Sequence, residues 1–296
     1  MPEPTPIPDA TPADPSLGPE PDPLPVAVER YLEMLARCLT REAFLDQEWW
    51  DVRLDEAVLD DGRTARDALL PLLRSNDWRL VRRGGQESRA EGRDWPPTAE
   101  TMIGTARLEN VRRCCVDAIH RGVPGDFMET GVWRGGATIL MKGVIEAFED
   151  RTRRVWVADS FEGLPVPDER YPADDGLDWS RVGVLKVDAE AVRDNFARYG
   201  LLDDRVCLLE GWFEDTLPSA PVEELAVLRL DGDLYQSTMD ALVSMEPKVV
   251  AGGYVIVDDY GGWVPCRRAV DDYRESRGIT AAMHEIDWTG VWWRKD

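Results

Sequence analysis

Residues 225–233 read LAVLRLDGD and residues 253–259 read GYVIVDD. Each is a short apolar run that stops abruptly at acids, Asp231 and Asp233 in the first, Asp258 and Asp259 in the second. Runs of this length and make-up read as buried strands. Asp258 follows Asp231 by 27 residues, about the length of one strand–helix–strand unit, so the two runs are expected to lie parallel with their acids at one sheet edge. The same pattern extends outward: DFMET (126–130), VWVAD (155–159) and VCLLEG (206–211) precede the pair, GVWWRK (290–295) follows it, and helical segments separate them. This alternation predicts an α/β domain built on a parallel sheet, running from Thr101 to the end of the chain. Ligands of open α/β sheets sit at the carboxyl ends of the strands, where Glu129, Asp159, Asp231 and Asp258 are expected to converge.

Three carboxylates at one edge repel one another unless a cation neutralises them, and an all-oxygen donor set suits magnesium. Asp231, Asp258 and Asp259 are therefore the candidate metal ligands. The bland alternative is that Asp258 and Asp259 only cap a solvated turn. Two histidines, His120 and His284, leave little material for an imidazole site, and neither reads as a catalytic base. The five cysteines include no CxxC spacing and read as free thiols rather than a zinc or redox site.

The first strand runs into Glu129-Thr130-Gly131-Val132-Trp133-Arg134-Gly135-Gly136, with a helix expected from about Ala137. Its Gly-x-x-x-Gly-Gly spacing departs from the dinucleotide fingerprint, which disfavours a nicotinamide cofactor. A nucleoside without phosphates fits better, and S-adenosylmethionine is such a ligand: Glu129 could organise the loop and the amino-acid end, and Asp159 could accept from the ribose hydroxyls. The competing reading is a tight turn whose glycines serve backbone geometry alone. Trp212 and Phe213 could wall an adenine ring or could equally be core. Asp188 reads as a helix N-cap.

A net charge of −22 excludes nucleic acid and anionic membrane surfaces as partners, because long-range repulsion precedes any local contact. No run approaches a membrane span and no basic-then-apolar leader is visible, which predicts a cytoplasmic protein. Residues 1–25 hold ten of the 21 prolines and five acids and read as a disordered tail. In VERYLEMLARCLTREAFL, Tyr31, Leu32, Leu35, Leu39 and Phe44 recur at mostly helical spacing, so a helix is expected to open an N-terminal region over 26–100 and to dock on the catalytic domain or on a second subunit. RRGGQESRAEGR, residues 82–93, reads as an exposed loop.

Taken in order, GRDWPPTAETMIG, PGDFMETGVWRGGATI, VADSFEGLPVPD, GWFEDTLPSAP, LRLDGDLYQSTMDAL and GGYVIVDDYG resemble the macrocin O-methyltransferases, the TylF-like family of antibiotic biosynthesis, over about residues 93–296. The resemblance implies a class I methyltransferase (Rossmann-like) fold: a seven-stranded, mostly parallel sheet whose last strand is antiparallel, with a helical N-terminal lid region. It implies S-adenosylmethionine and magnesium, with Asp231, Asp258 and Asp259 on the metal. It places Glu129, Thr130, Gly131, Asp159 and Ser160 at the cofactor and makes Thr101 and Met102 part of a lid. It also implies a small-molecule glycoside as acceptor and a homodimer or higher homo-oligomer. A sugar hydroxyl is protonated at neutral pH, so a metal that stabilises the alkoxide, with Asp231 as both ligand and proton acceptor, would supply the nucleophile. Related catechol-type enzymes carry a lysine just after the first metal aspartate, whereas Gly232, Asp233 and Leu234 stand there in this chain. A metal-dependent phosphoester hydrolase would need the carboxylates but not the glycine loop, and a silent cofactor-binding scaffold would need no metal ligands.

Overall fold

The computed structural model describes residues 24–51, 65–83 and 85–296, so all but the last two residues of the tail expected over 1–25 lie outside the described residues. Helix α1 (Val26–Leu39), strand β1 (Trp49–Asp51), helix α2 (Ala65–Ser75), strand β2 (Val81–Arg83) and helix α3 (Gln86–Ala90) form the N-terminal region. The α/β part of the chain then runs α4 (Thr105–His120), β3 (Asp126–Thr130), α5 (Gly136–Ala147), β4 (Val155–Asp159), α6 (Ala189–Arg198), β5 (Val206–Glu210), α7 (Phe213–Thr216), β6 (Leu225–Leu230), α8 (Tyr235–Met245), β7 (Val249–Val257), α9 (Val264–Arg277), β8 (His284–Glu285) and β9 (Val291–Arg294).

Strands β3 to β9 form one sheet in the order β5-β4-β3-β6-β7-β9-β8. The pairs among β3 to β7 are parallel, and β9 runs antiparallel to β7 and to β8. The expected seven strands with an antiparallel last strand are thus present. The central strands β3, β4, β6 and β7 are apolar on both faces because both faces are covered. Successive residues point to opposite sides: Phe127 and Val227 join Leu108, Leu140, Val144 and Phe196 under α4, α5 and α6, while Met128 and Leu228 join Leu242, Met245, Val270 and Tyr273 under α8 and α9.

Helix α1 buries Leu32, Leu35 and Leu39 against α5, where Gly143 leaves room for the Leu35 side chain. The helix is shorter than its periodicity suggests. Arg41 adopts φ of +63° and turns the chain, so Phe44 falls in a separate 3-10 turn, partly exposed, instead of on the apolar stripe. The 82–93 stretch also departs from expectation. It contains α3, and Arg89 within it is completely buried, its Nη2 donating to the carbonyls of Met102 (2.6 Å) and Ile103 (2.8 Å) and its Nη1 pairing with Asp94 at 3.0 Å. One guanidinium therefore ties the N-terminal region to the segment ahead of α4. Asp188 caps α6 as expected, accepting from Ala191 N at 2.8 Å. All five cysteines are free, with Cys114, Cys115 and Cys266 buried. Among the described residues no helix is long and apolar enough to cross a membrane.

Candidate active site

The carboxyl ends of β3, β4, β6 and β7 open into a cavity of about 320 Å³. On one side lies the turn after β3. Gly131 has φ of +82°, and a Cβ there would overlap the carbonyl oxygen of Asp231 on the neighbouring strand, so only glycine lets the two strand ends approach. Asp159, at the end of β4, fixes the turn from the other side: its Oδ2 accepts from Val132 N (2.8 Å) and Trp133 N (3.3 Å) and its Oδ1 from Phe161 N (2.8 Å). Burial nevertheless holds its pKa above the usual carboxylate range. Gly136, the first residue of α5, donates its N–H to Glu100 O at 2.9 Å, and a side chain there would collide with Thr101. The segment around Thr101 and Met102 is thereby seated over the start of α5.

Of the residues the sequence assigns to a cofactor, Met102, Gly131, Asp159, Ser160, Trp212 and Phe213 line the cavity. Thr101, Glu129 and Thr130 are buried behind its wall. Glu129 faces the interior of the sheet, paired with Arg229 through Oε1 while Oε2 has no partner among the described residues. Burial pushes its pKa up to about 8 despite that guanidinium.

On the other side lie the acids of β6 and β7. Ligand oxygens of Asp231, Asp233 and Asp259 fall within 4.8 Å of one another. Asp258, which the sequence suggests as the third ligand, lines the same cavity but gives one oxygen to Arg229 and the other to Arg107. Arg107, from α4, also reaches Asp287 at 3.0 Å, and Arg229 reaches Asp231 at 2.9 Å. Six carboxylates (Glu129, Asp231, Asp233, Asp258, Asp259, Asp287) thus surround two guanidiniums. Positive charge is in deficit there: burial, then the neighbouring acids, raises Asp233 to about 8 and holds Asp231 and Asp259 above their ordinary range. The all-carboxylate donor set and this missing charge both fit a hard divalent cation. No sequence pattern assigns a role to Arg107; the only signal for Arg229 is a lone arginine inside the apolar run LAVLRLD.

A pH dependence follows. Without a cation, Glu129 and Asp233 keep their protons in the folded protein up to about pH 8 but lose them near pH 4 when unfolded, so the metal-free native state binds more protons across that window and its stability falls as pH rises through it, whereas a bound cation would hold Asp233 in its ionised, proton-accepting form. Thermal unfolding of metal-free protein is expected to show Tm declining from pH 5 to 8. Magnesium should raise Tm most at the alkaline end; a Tm insensitive to magnesium at pH 8 would contradict this account of the cluster.

A central five-stranded parallel run, an antiparallel final strand, a glycine turn after the first sheet strand and acids at the following strand ends define a class I methyltransferase. Calicheamicin methyltransferase CalS11 shares this fold, with a TM-score of 0.52 at 17% identity over 92% of this chain and 94% of that one. A profile of the Macrocin-O-methyltransferase (TylF) family matches residues 28–295, and the chain belongs to that family. It is similar to demethyldecarbamoylnovobiocin O-methyltransferase of Streptomyces niveus, 55% identical over 212 residues, 71% of this chain and 81% of that protein. To mycinamicin III 3''-O-methyltransferase of Micromonospora griseorubida it is 48% identical over 215 residues, 71% of this chain and 84% of the relative. The solved O-methyltransferase NovP superposes with a TM-score of 0.76 at 45% identity, covering 90% of this chain and 99% of its own. The match reaches well upstream of residue 93, so the N-terminal helices belong to the family's architecture. The protein is an S-adenosylmethionine-dependent O-methyltransferase.

Proposed function

We propose that this enzyme methylates a sugar hydroxyl of a glycosylated natural product, with magnesium held at the carboxylate edge. The observation that carries the reading is the Asp231–Asp233–Asp259 cluster, which shares one cavity with the glycine turn and with Asp159. Its similarity to the O-methyltransferases of demethyldecarbamoylnovobiocin and of mycinamicin III supports the glycoside. Asp231 and Asp259 would hold the cation. Asp258 could join them through the lone pairs left on its oxygens after Arg107 and Arg229 have taken one each. Bound there, magnesium supplies the positive charge that lowers the pKa of an acceptor hydroxyl.

In this reading the proton acceptor is Asp233 rather than Asp231, and two observations support it. Asp231 already accepts from Arg229 and belongs to the donor set, whereas the Asp233 carboxylate accepts no hydrogen bond among the described residues and φ of +55° at this residue sets it beside its neighbours. Met102, Trp133, Trp212 and Phe213 exclude water from the cofactor side, which aids a displacement that depends on alignment. We place the reaction in the cytoplasm, where both S-adenosylmethionine and magnesium are available. A homodimer through the N-terminal region is supported by the exposed Trp49, Leu72 and Trp78 of that region, apolar surface that a second copy would cover.

Incubation with labelled S-adenosylmethionine and a panel of glycosides tests the reading. Transfer to a sugar hydroxyl should disappear on exhaustive chelation and return with magnesium. Transfer that survives chelation would refute the metal, and transfer to the aglycone alone would refute the sugar.

A further inference from the structure

One wall of the cavity has no task in the chemistry above. Trp95 from the segment between α3 and α4, Trp179 from the long connection between β4 and α6, and Trp263 from the turn before α9 line it together. Trp179 is the centre. Its ring centroid lies 6.2 Å from that of Trp95 at an interplanar angle of 70° and 5.5 Å from that of Trp263 at 84°, so both neighbours stand nearly upright on it. None of the three is fully buried, which leaves indole surface facing the cavity. A fourth indole, Trp288, closes the rim, with the Arg93 guanidinium 4.1 Å over its ring and its Nε1 donating to Glu91 O at 2.9 Å.

Three indoles brought from distant parts of the chain and left partly exposed in one cavity give it an apolar face suited to an apolar ligand. Nearby charge narrows its chemistry. The acids Asp94, Glu214, Asp233 and Asp240 line the cavity, and its two lining arginines are engaged, Arg107 by Asp258 and Asp287 and Arg93 by Glu91 and Trp288. A phosphate-bearing sugar donor would meet repulsion with no uncommitted cation among the described lining residues. Upright neighbours on a shared ring present both edges and faces, the arrangement that rewards a flat π-system over an aliphatic ring of equal area.

We infer that Trp95, Trp179 and Trp263 form the subsite for a flat aromatic aglycone, with Trp179 determining acceptor specificity. This rests on the reading of the enzyme as a glycoside O-methyltransferase and adds which glycosides it selects. It also orders the reaction sequence: a glycosyl transfer onto an aromatic acceptor must come first.

The test uses paired 1-naphthyl and methyl glycosides of the same sugars, with a macrolide glycoside as third acceptor, on wild-type enzyme and on Trp179→Leu, which keeps apolar area but loses the ring. The wild type should favour the naphthyl glycoside at least tenfold in kcat/KM. Trp179→Leu should erase most of that preference, roughly three- to tenfold for each aromatic pair that the aglycone no longer makes, while S-adenosylhomocysteine affinity measured by calorimetry stays within twofold. A general structural role would weaken cofactor binding and leave the naphthyl-to-methyl ratio unchanged, and that result overturns the assignment, as does a preference for the macrolide glycoside. Failure to methylate any glycoside would refute the parent reading instead. The subsite is then judged by calorimetric binding of the naphthyl glycoside to the S-adenosylhomocysteine-loaded protein: binding weakened at least threefold in Trp179→Leu supports it, and no binding to the wild type overturns it.

Discussion

Replacing Asp233 by asparagine should lower kcat by about 10²- to 10⁴-fold, the range that a positioned general base contributes, while leaving S-adenosylhomocysteine affinity close to that of the wild type. The substitution keeps the shape of the side chain and removes only its capacity to take a proton. Asp231→Asn should behave differently. Asp231 lies in the carboxylate cluster and is anchored by Arg229 at 2.9 Å, so its loss should weaken magnesium binding and be partly overcome by added magnesium. Turnover at saturating S-adenosylmethionine, titrated with magnesium for both variants, separates the two roles. If Asp233→Asn turned over normally while Asp231→Asn, fully loaded with magnesium, did not, the proton acceptor would be Asp231.

The largest stability effect is expected at Arg229. Its side chain is fully buried in β6 and faces Glu129, Asp231 and Asp258. Arg229→Met keeps much of the volume and strands three carboxylates without their shared guanidinium. Removing one partner of a buried ion pair destabilises by about 3–5 kcal/mol, and urea unfolding at pH 8 should show a loss of that size. At pH 6 the loss should be smaller, because Glu129, already pushed up to about 8 with the arginine present, takes up a proton more readily without it. Adding Glu129→Gln to Arg229→Met should recover part of the stability at pH 8, since it removes the cost of protonating that buried carboxyl there. A loss below about 1 kcal/mol for Arg229→Met would mean that the network contributes little, as exposed pairs do.

The residues behind these expectations differ widely in legibility. The strands are readable because a run such as GYVIVDD or VWVAD is apolar on both faces, which only a strand covered on both sides requires. The acids that end β3, β4, β6 and β7 are readable as a convergent edge because parallel strands all finish on the same side. The helix over 26–39 is readable from its stripe, but its end is not: Arg41 in a left-handed conformation is a turn that no glycine or proline announces. Arg89 reads as loop because its neighbours are charged and glycine-rich, although the carbonyls it satisfies belong to a segment more than ten residues away.

The sequence by itself therefore determined the parallel sheet and the existence of a carboxylate edge beside a glycine turn, since local polarity sets where a buried strand must stop. Only the tertiary structure decided which carboxylates meet. Asp258 turns to Arg107, 151 residues away in the chain, and Arg229 turns to Glu129, 100 residues away; Asp233 is left to join Asp231 and Asp259. Trp95, Trp179 and Trp263 likewise become one wall only after three loops close over the same strand ends. The physical reason is the same in each case: a buried charge or a half-buried ring takes its role from the partner that folding brings to it, and no local pattern encodes that partner.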